Sequence, residues 1–474
     1  MPSGSRELAR NVVGPVRVIA FGTSNVAPAG AVVAGLVIVV SYAGFASPLV
    51  VLLAFAASLC CATSIAEFAR RLPSAGSLYT YNSRGLGQIG GFLSGWMMGF
   101  AYALYVPAGI ALTSAYAARL IAGTLHVTVS GWMLFLVILA LIVLVAYRGV
   151  VTSSWADLIL SAAEVAVIAA LAITILVRTS PAHYSAAVLW PGSSPNGQLT
   201  DITNAMIYGI TAFAGFEASA ALGEEARDAR RSIPRGTIGV VAVTGLFYLL
   251  VVLAEMFGAG RGGVSSLARQ PDPLGYLASR YWSPSVLWAV ELVVVLTGLG
   301  FTIAAFNVAI RVLFAMGRER ALPGSLARLS RRRTPVVSIG FVALSTLLIG
   351  LPLTARYGGG AAFRYLAGAG GLSVVLIYLA VNVSVIRAFR TEFRADFRFG
   401  RHLLFPATAA VLFLFPLWGI VHPHAHRLVD LLPFAALGWL TLGAVTAGLL
   451  RARRPARFQR LGRVFWPAES PPEG

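Results

Sequence analysis

Between Arg17 and Glu67 the chain carries no charged residue. A helix needs about 20 mostly apolar residues to cross the hydrocarbon core of a bilayer, so this run is long enough for two crossings. Further charge-free windows cover 85–118, 120–147, 179–200, 236–254, 292–310, 334–355, 365–386 and 431–450. Only 12% of the residues are charged and 57% are hydrophobic, with a mean hydropathy of +0.78. That excludes a soluble domain of this size and specifies a polytopic, all-α membrane protein.

Turn residues and loops divide the chain into twelve expected helices, at 17–43, 47–70, 88–120, 131–147, 153–177, 201–224, 236–258, 286–316, 335–354, 361–388, 402–421 and 428–450. Every basic residue is arginine. With both termini in the cytoplasm, 29 of the 37 arginines fall in cytoplasmic segments, as the positive-inside rule requires. The net charge of +19 therefore reads as orientation and not as nucleic-acid binding. The N-terminal apolar stretch is longer than a signal-peptide core and reads as a retained first helix. Cys60 and Cys61 are adjacent and read as small buried hydrophobes. The basic tail, 451–474, is expected to lie against anionic membrane lipids. His422, His424 and His426 alternate in a loop, but no acid or cysteine pattern supports a metal there, and no cofactor is expected.

Two segments differ from the rest. Residues 19–35, IAFGTSNVAPAGAVVAG, place Gly22, Pro28 and Gly30 mid-span. Residues 204–225, NAMIYGITAFAGFEASAALGEE, place Gly209 and Gly215 mid-span and add Glu217. Proline removes a backbone donor and clashes with the preceding turn. Backbone freed at membrane depth is tolerated where it lines a cavity or is buried in protein. Interrupted helices five spans apart, in the first and sixth positions, point to an inverted-repeat transporter with a site at the midplane.

At this point three motifs resemble the amino acid–polyamine–organocation transporter family. They are EFARRLPSAGSLYTY at 67–81, FAGFE (213–217) followed by EEARDARRSIPRG (224–236), and NVAIRVLFAMGRERALPGSLARLSRRRTP at 307–335. The resemblance implies a first five-helix repeat over 17–178, an inverted second repeat over 201–388, two added helices over 402–450 and a cytoplasmic segment at 1–16. It also implies secondary transport, coupled to protons or to exchange, with substrate bound where the two broken helices meet. Small-molecule substrates, amino acids or amines, and protons are the expected partners, with no enzyme activity.

On that frame the expected substrate site has two poles. Amides from Thr23, Ser24, Asn25, Val26 and Ala27 would meet a carboxylate, and carbonyls around Phe213, Ala214 and Gly215 would take an ammonium. Phe213 and Phe216 are expected either to cover the substrate or simply to pack, and Tyr102 to line the cavity. Glu217 is a costly charge at membrane depth, about 2.5–3.5 kcal/mol on insertion scales. It is a proton-coupling candidate, with a structural cap as the competing reading, and Glu164 is a second candidate. Glu224, Glu225, Arg227 and Arg231 are expected either to form an inner gate or to be a solvated loop. A polyamine or other organic-cation permease, an exchanger and a non-transporting receptor stay open as alternatives.

Overall fold

A computed structural model describes residues 14–72, 77–148, 154–224, 226, 228–270, 272–318, 320–330, 334–420 and 431–458. Among these residues the chain is all-helical with no β-strand. Ten helices are long and apolar enough to cross a membrane, so this is a multi-pass membrane protein.

The first of the ten runs from Val18 to Arg71 and joins the expected first and second spans. It begins with α1 (Pro15–Val26) and α2 (Pro28–Ala31). A π-helical turn at Val32–Leu36, α3 (Val37–Ala43) and α4 (Ser47–Arg71) follow. The expected sixth span is missing from the ten because it is divided. It consists of α8 (Leu199–Thr211), an irregular turn at 212–215 and a 3₁₀ segment, Phe216–Glu224. Between these lie α5 (Ser77–Leu125), α6 (Gly131–Arg148) and α7 (Ser154–Arg178).

After the divided span come α9 (Ala229–Ala259), the short α10 (Val264–Leu267) and α11 (Pro273–Tyr281), α12 (Leu287–Arg318), α13 (Val336–Tyr357) and α14 (Gly359–Thr391). The chain then forms α15 (Phe405–Ile420), α16 (Leu432–Arg453) and α17 (Pro455–Phe458). α5 is longer than the expected third span because a helical stretch from Ser77 continues it across a kink at Gly87, whose φ is +80°. Glycine accepts that φ without the Cβ penalty.

The core is built by α5 against α12 and α14, and by α4 against α8, α9 and α15. The broken first span packs on α9 and on the Phe216–Glu224 segment. Gly370 and Gly371 let α14 approach closely, since a Cβ at Gly370 would lie 2.6 Å from the Tyr105 ring and one at Gly371 would collide with Thr211 Oγ1. The GAGG sequence at 368–371 is therefore a packing surface. α16 is anchored by two indoles. Trp96 and Trp439 stack at 4.7 Å, and each donates its N–H to the other's carbonyl, at 2.9 and 3.2 Å. The outer faces of α6, α13 and α16 expose Val137, Leu348 and Phe434 by more than 60% each. Such faces would be a liability in water and are normal against lipid tails.

Candidate substrate cavity

α1 ends because Ala27 turns left-handed, with φ 49° and ψ 65°. Pro28 then starts α2 at the position where a missing N–H costs least. Thr23 to Val26 lie in the last turn of α1, so their amides serve the helix; the Ala27 N–H itself donates to Thr23 O at 3.1 Å. The amides left open by helix geometry are therefore not at the expected 23–27 but in the first turn of α2. There Ala29 and Gly30 have no intrahelical acceptor. The physical reason is the single-residue break: one left-handed residue restarts the helix at once, and only the new first turn is left open.

In the divided sixth span the helix is interrupted at Gly215, whose φ is +107°. A Cβ there would sit 2.7 Å from Asn25 O, 3.0 Å from Asn25 C and 3.2 Å from Val26 N. Only glycine lets the two breaks touch, backbone to backbone. The turn's carbonyls are nearly all used. Ala212 O accepts from Tyr248 Oη at 2.6 Å, Phe213 O from Phe216 N–H at 3.4 Å, and Gly215 O from Ala218 N–H at 3.0 Å. Ala214 O is the turn carbonyl without a partner among the described residues.

Beside the meeting point lies a cavity of about 60 Å³, room for roughly four waters. Asn25, Val26 and Gly30 from the first span and Thr211, Ala212 and Ala214 from the sixth form one side. Tyr102 and Tyr105 of α5, Phe301 of α12 and Phe363 of α14 close the other. The wall is mostly apolar and has no acidic residue. Tyr105 Oη and Thr211 Oγ1 are buried on it as neighbours, and neither makes a hydrogen bond of ordinary geometry among the described residues.

Glu217 lies behind this wall and is 3% exposed. Its Oε2 accepts from Gly215 N–H at 2.9 Å and from Tyr378 Oη at 2.7 Å, and its Oε1 accepts from Tyr102 Oη at 3.1 Å. Ser77 Oγ donates to its carbonyl at 3.1 Å. One carboxylate thus ties the turn to α5 and α14. Among the described residues the carboxylate meets three donors and no acceptor.

The expected residues therefore separate. Asn25, Val26, Ala214 and Tyr102 line the cavity; Thr23, Ser24 and Ala27 do not. Asn25 Nδ2 donates to Phe21 O at 2.9 Å. Phe213 and Phe216 are fully buried behind the cavity. Phe213 packs on Phe55 and Tyr248, and Phe216 on Tyr378, so in this conformation they pack and do not cover the cavity. Glu164 is 6% exposed and lies near Thr297, whose Cγ2 would be 2.9 Å from a Cβ at Gly30. It flanks the start of α2 without lining the cavity. Arg231 is 77% exposed and sits 3.6 Å from Asp228, a pair within its own helical turn. Such a pair contributes little. Glu225 and Arg227 lie outside the described residues, as do the Glu224 side chain, the histidines at 422–426 and the tail beyond Phe458.

Sequence reasoning missed Tyr378, Tyr248 and Thr211, because nothing in an apolar span marks which side chain turns inward. It also passed over Glu255 of α9, just beyond the 236–254 window. That residue is 1% exposed, and neither carboxylate oxygen has a hydrogen-bond partner among the described residues.

A family model described as amino acid permease matches residues 13–442. The chain belongs to the amino acid permease family. Among its relatives in the family, the branched-chain amino acid permease BcaP of Lactococcus lactis is 25% identical over 383 residues, covering 76% of this chain and 78% of that protein. The methylthioribose transporter of Bacillus subtilis is 25% identical and covers 74% and 77%. The low-affinity putrescine importer PlaP of Escherichia coli is 26% identical and covers 83% and 84%. A solved manganese transporter of Eremococcus coleocola, in mutant form, superposes with a TM-score of 0.60 at 12% identity over 97% of each chain. At that identity the likeness concerns the fold alone. These family relatives are permeases or transporters, so this chain is a transporter of the same type.

Proposed function

We propose that the chain is a secondary permease that carries a small apolar amino acid across the cytoplasmic membrane by alternating access, coupled to protons. The observation that carries this reading is the contact of Gly215 with Asn25 and Val26 beside an apolar cavity. On this reading the contact holds a donor end near an acceptor end. The first-turn amides of α2, at Ala29 and Gly30, would meet the substrate carboxylate. The Ala214 carbonyl would take the ammonium. Val26, Phe301 and Phe363 would surround an aliphatic side chain.

The same wall disfavours the amine alternative. Putrescine carries two ammonium groups, and a second one would be desolvated without a carboxylate on the cavity surface. Glu217 is already committed to three donors.

The topology we propose has twelve crossings. Residues 17–178 and 201–388 form inverted five-helix repeats, 402–450 two added helices, and both termini are cytoplasmic with the tail on membrane lipid. The division of the sixth span and the joining of the first two account for the ten long helices. Glu217 is the proposed proton-coupling group. Protonation would put a hydroxyl donor among three donors, forcing one to leave and loosening the turn from α5 or α14. Glu164, beside the start of α2, is the second proposed proton site. Glu224, Glu225, Arg227 and Arg231 stay proposed as an inner gate.

Uptake into proteoliposomes under an imposed pH gradient, with labelled amino acids and putrescine, tests the reading. Proton-driven uptake of aliphatic amino acids is expected. Uptake of putrescine alone would overturn the substrate class, flux that needs trapped internal substrate would mean exchange, and binding without flux would mean a receptor.

A further inference from the structure

Far from the helix breaks, where α4 and α14 end and α15 is about to begin, a second cavity of about 320 Å³ opens. Arg70, Arg71, Arg398 and Arg401 line it with Glu67 and Asp396. At its base His402, 2% exposed, stacks on Phe389 with ring centroids 3.7 Å apart. The His402 Nδ1 accepts the Arg398 N–H at 2.8 Å. That bond leaves the ring proton on Nε2, 3.2 Å from Glu67 Oε2.

The charges of this cavity do not balance within it. Four guanidiniums face two carboxylates. Glu67 is shared between Arg70 and Arg401, both loosely at 3.6 Å, and Asp396 is taken by Arg71 at 2.6 Å. Arg70 Nε is buried without a hydrogen-bond partner among the described residues. Arg398 has no ion pair among the described residues. A helical run also starts here, since a π turn at Gly400–Leu404 leads directly into α15. Its positive dipole end adds to the field. Guanidinium forks match the oxygens of phosphate, and a helix start offers further amides.

We infer that this cavity binds a phosphate group, carried either by a membrane lipid headgroup or by a soluble phosphate compound. Bound there, the anion would bridge α4 to the start of α15. α4 also packs on α8 and the Phe216–Glu224 segment, so occupancy would bear on the helix that supports the sixth-span break. The inference does not depend on which substrate is carried, and its test reads binding without transport.

The full chain would be purified in detergent and its thermal unfolding followed as inorganic phosphate is titrated, with ionic strength held by chloride. In a second arm it would be reconstituted in phosphatidylcholine with or without phosphatidylglycerol, and the lipids retained on re-extraction identified by native mass spectrometry. The variants are Arg70→Gln and Arg398→Gln, with Arg261→Gln as a control for charge alone. A saturable rise in unfolding temperature, with half-saturation moved about tenfold in each variant and unmoved in the control, supports a soluble phosphate. No response to free phosphate, with phosphatidylglycerol retained by the parent and control but lost in the variants, supports the headgroup. Neither effect, or equal effects in all three variants, overturns the site. Should Arg70→Gln fail to fold, Arg398→Gln, which breaks no ion pair among the described residues, still decides the matter.

Discussion

Gly215→Ala probes the contact on which the proposed site depends. The added Cβ meets three backbone atoms of Asn25 and Val26, the nearest at 2.7 Å. Backbone cannot swing aside as a side-chain tip can, so the two breaks must separate by several tenths of an ångström. Holding alanine at a φ of +107° adds strain of about 1–3 kcal/mol. With the steric term the total comes to roughly 2–4 kcal/mol. If about half falls on the substrate-ready geometry, 1–2 kcal/mol corresponds to about a five- to thirtyfold loss of apparent affinity. The assay is substrate-induced thermal stabilisation of the purified protein, paired with uptake KM in proteoliposomes. Gly87→Ala is the control. It imposes a positive φ of similar cost at +80° but meets nothing within 4 Å, so it should lower stability and leave KM unchanged. A Gly215→Ala protein with parental stability and KM would refute the claim that the breaks are held in contact through this glycine. Equal KM losses in both variants would reduce the effect to strain alone.

Other consequences follow from the same geometry. Tyr378→Phe removes one donor from the Glu217 carboxylate and should cost about 1.5–3 kcal/mol of stability, read by thermal unfolding. The same variant should shift the pH profile of uptake, whereas Glu217→Gln should abolish the pH dependence; an unchanged profile in Glu217→Gln would end its role in coupling. Trp439→Ala deletes the stack and the indole hydrogen bond to Trp96 and should destabilise the chain by about 3–5 kcal/mol, visible as early protease cleavage near α16. Asp272, outside the spanning helices, caps α11 at Gly275 N–H, and burial holds its carboxyl above the usual carboxylate range. A raised folded-state value means that the fold binds this proton more tightly than the unfolded chain, so stability falls as pH rises through that range. Asp272→Asn keeps a capping oxygen and should flatten that slope, which unfolding temperatures at acidic and neutral pH would measure.

Much of the fold was legible along the chain because a bilayer imposes a one-dimensional rule. Apolar length decides what can cross, and the spacing of arginines suggests which way round. The interruptions at Pro28 and Gly215 are equally local, because proline lacks a donor and glycine alone accepts the required φ. Those residues marked the first and sixth spans, and with the motif order they led to the family. Helix rotation and partner choice are not local, and there the sequence reading ran out. Phe213 and Phe216 sit in the right segment yet turn into the core. The open amides fall at Ala29 and Gly30, two residues past the expected stretch, because the left-handed turn at Ala27 is one residue long. Tyr378 reaches Glu217 from 161 positions away, and no apolar span announces which of its side chains will face inward. Composition and local backbone chemistry determined that this chain is a membrane protein with two interrupted helices, and the motifs tied it to a transporter family. Packing alone decided that Glu217 is a buried three-donor clamp behind an acid-free cavity, because that depends on which faces of α5, α8 and α14 meet.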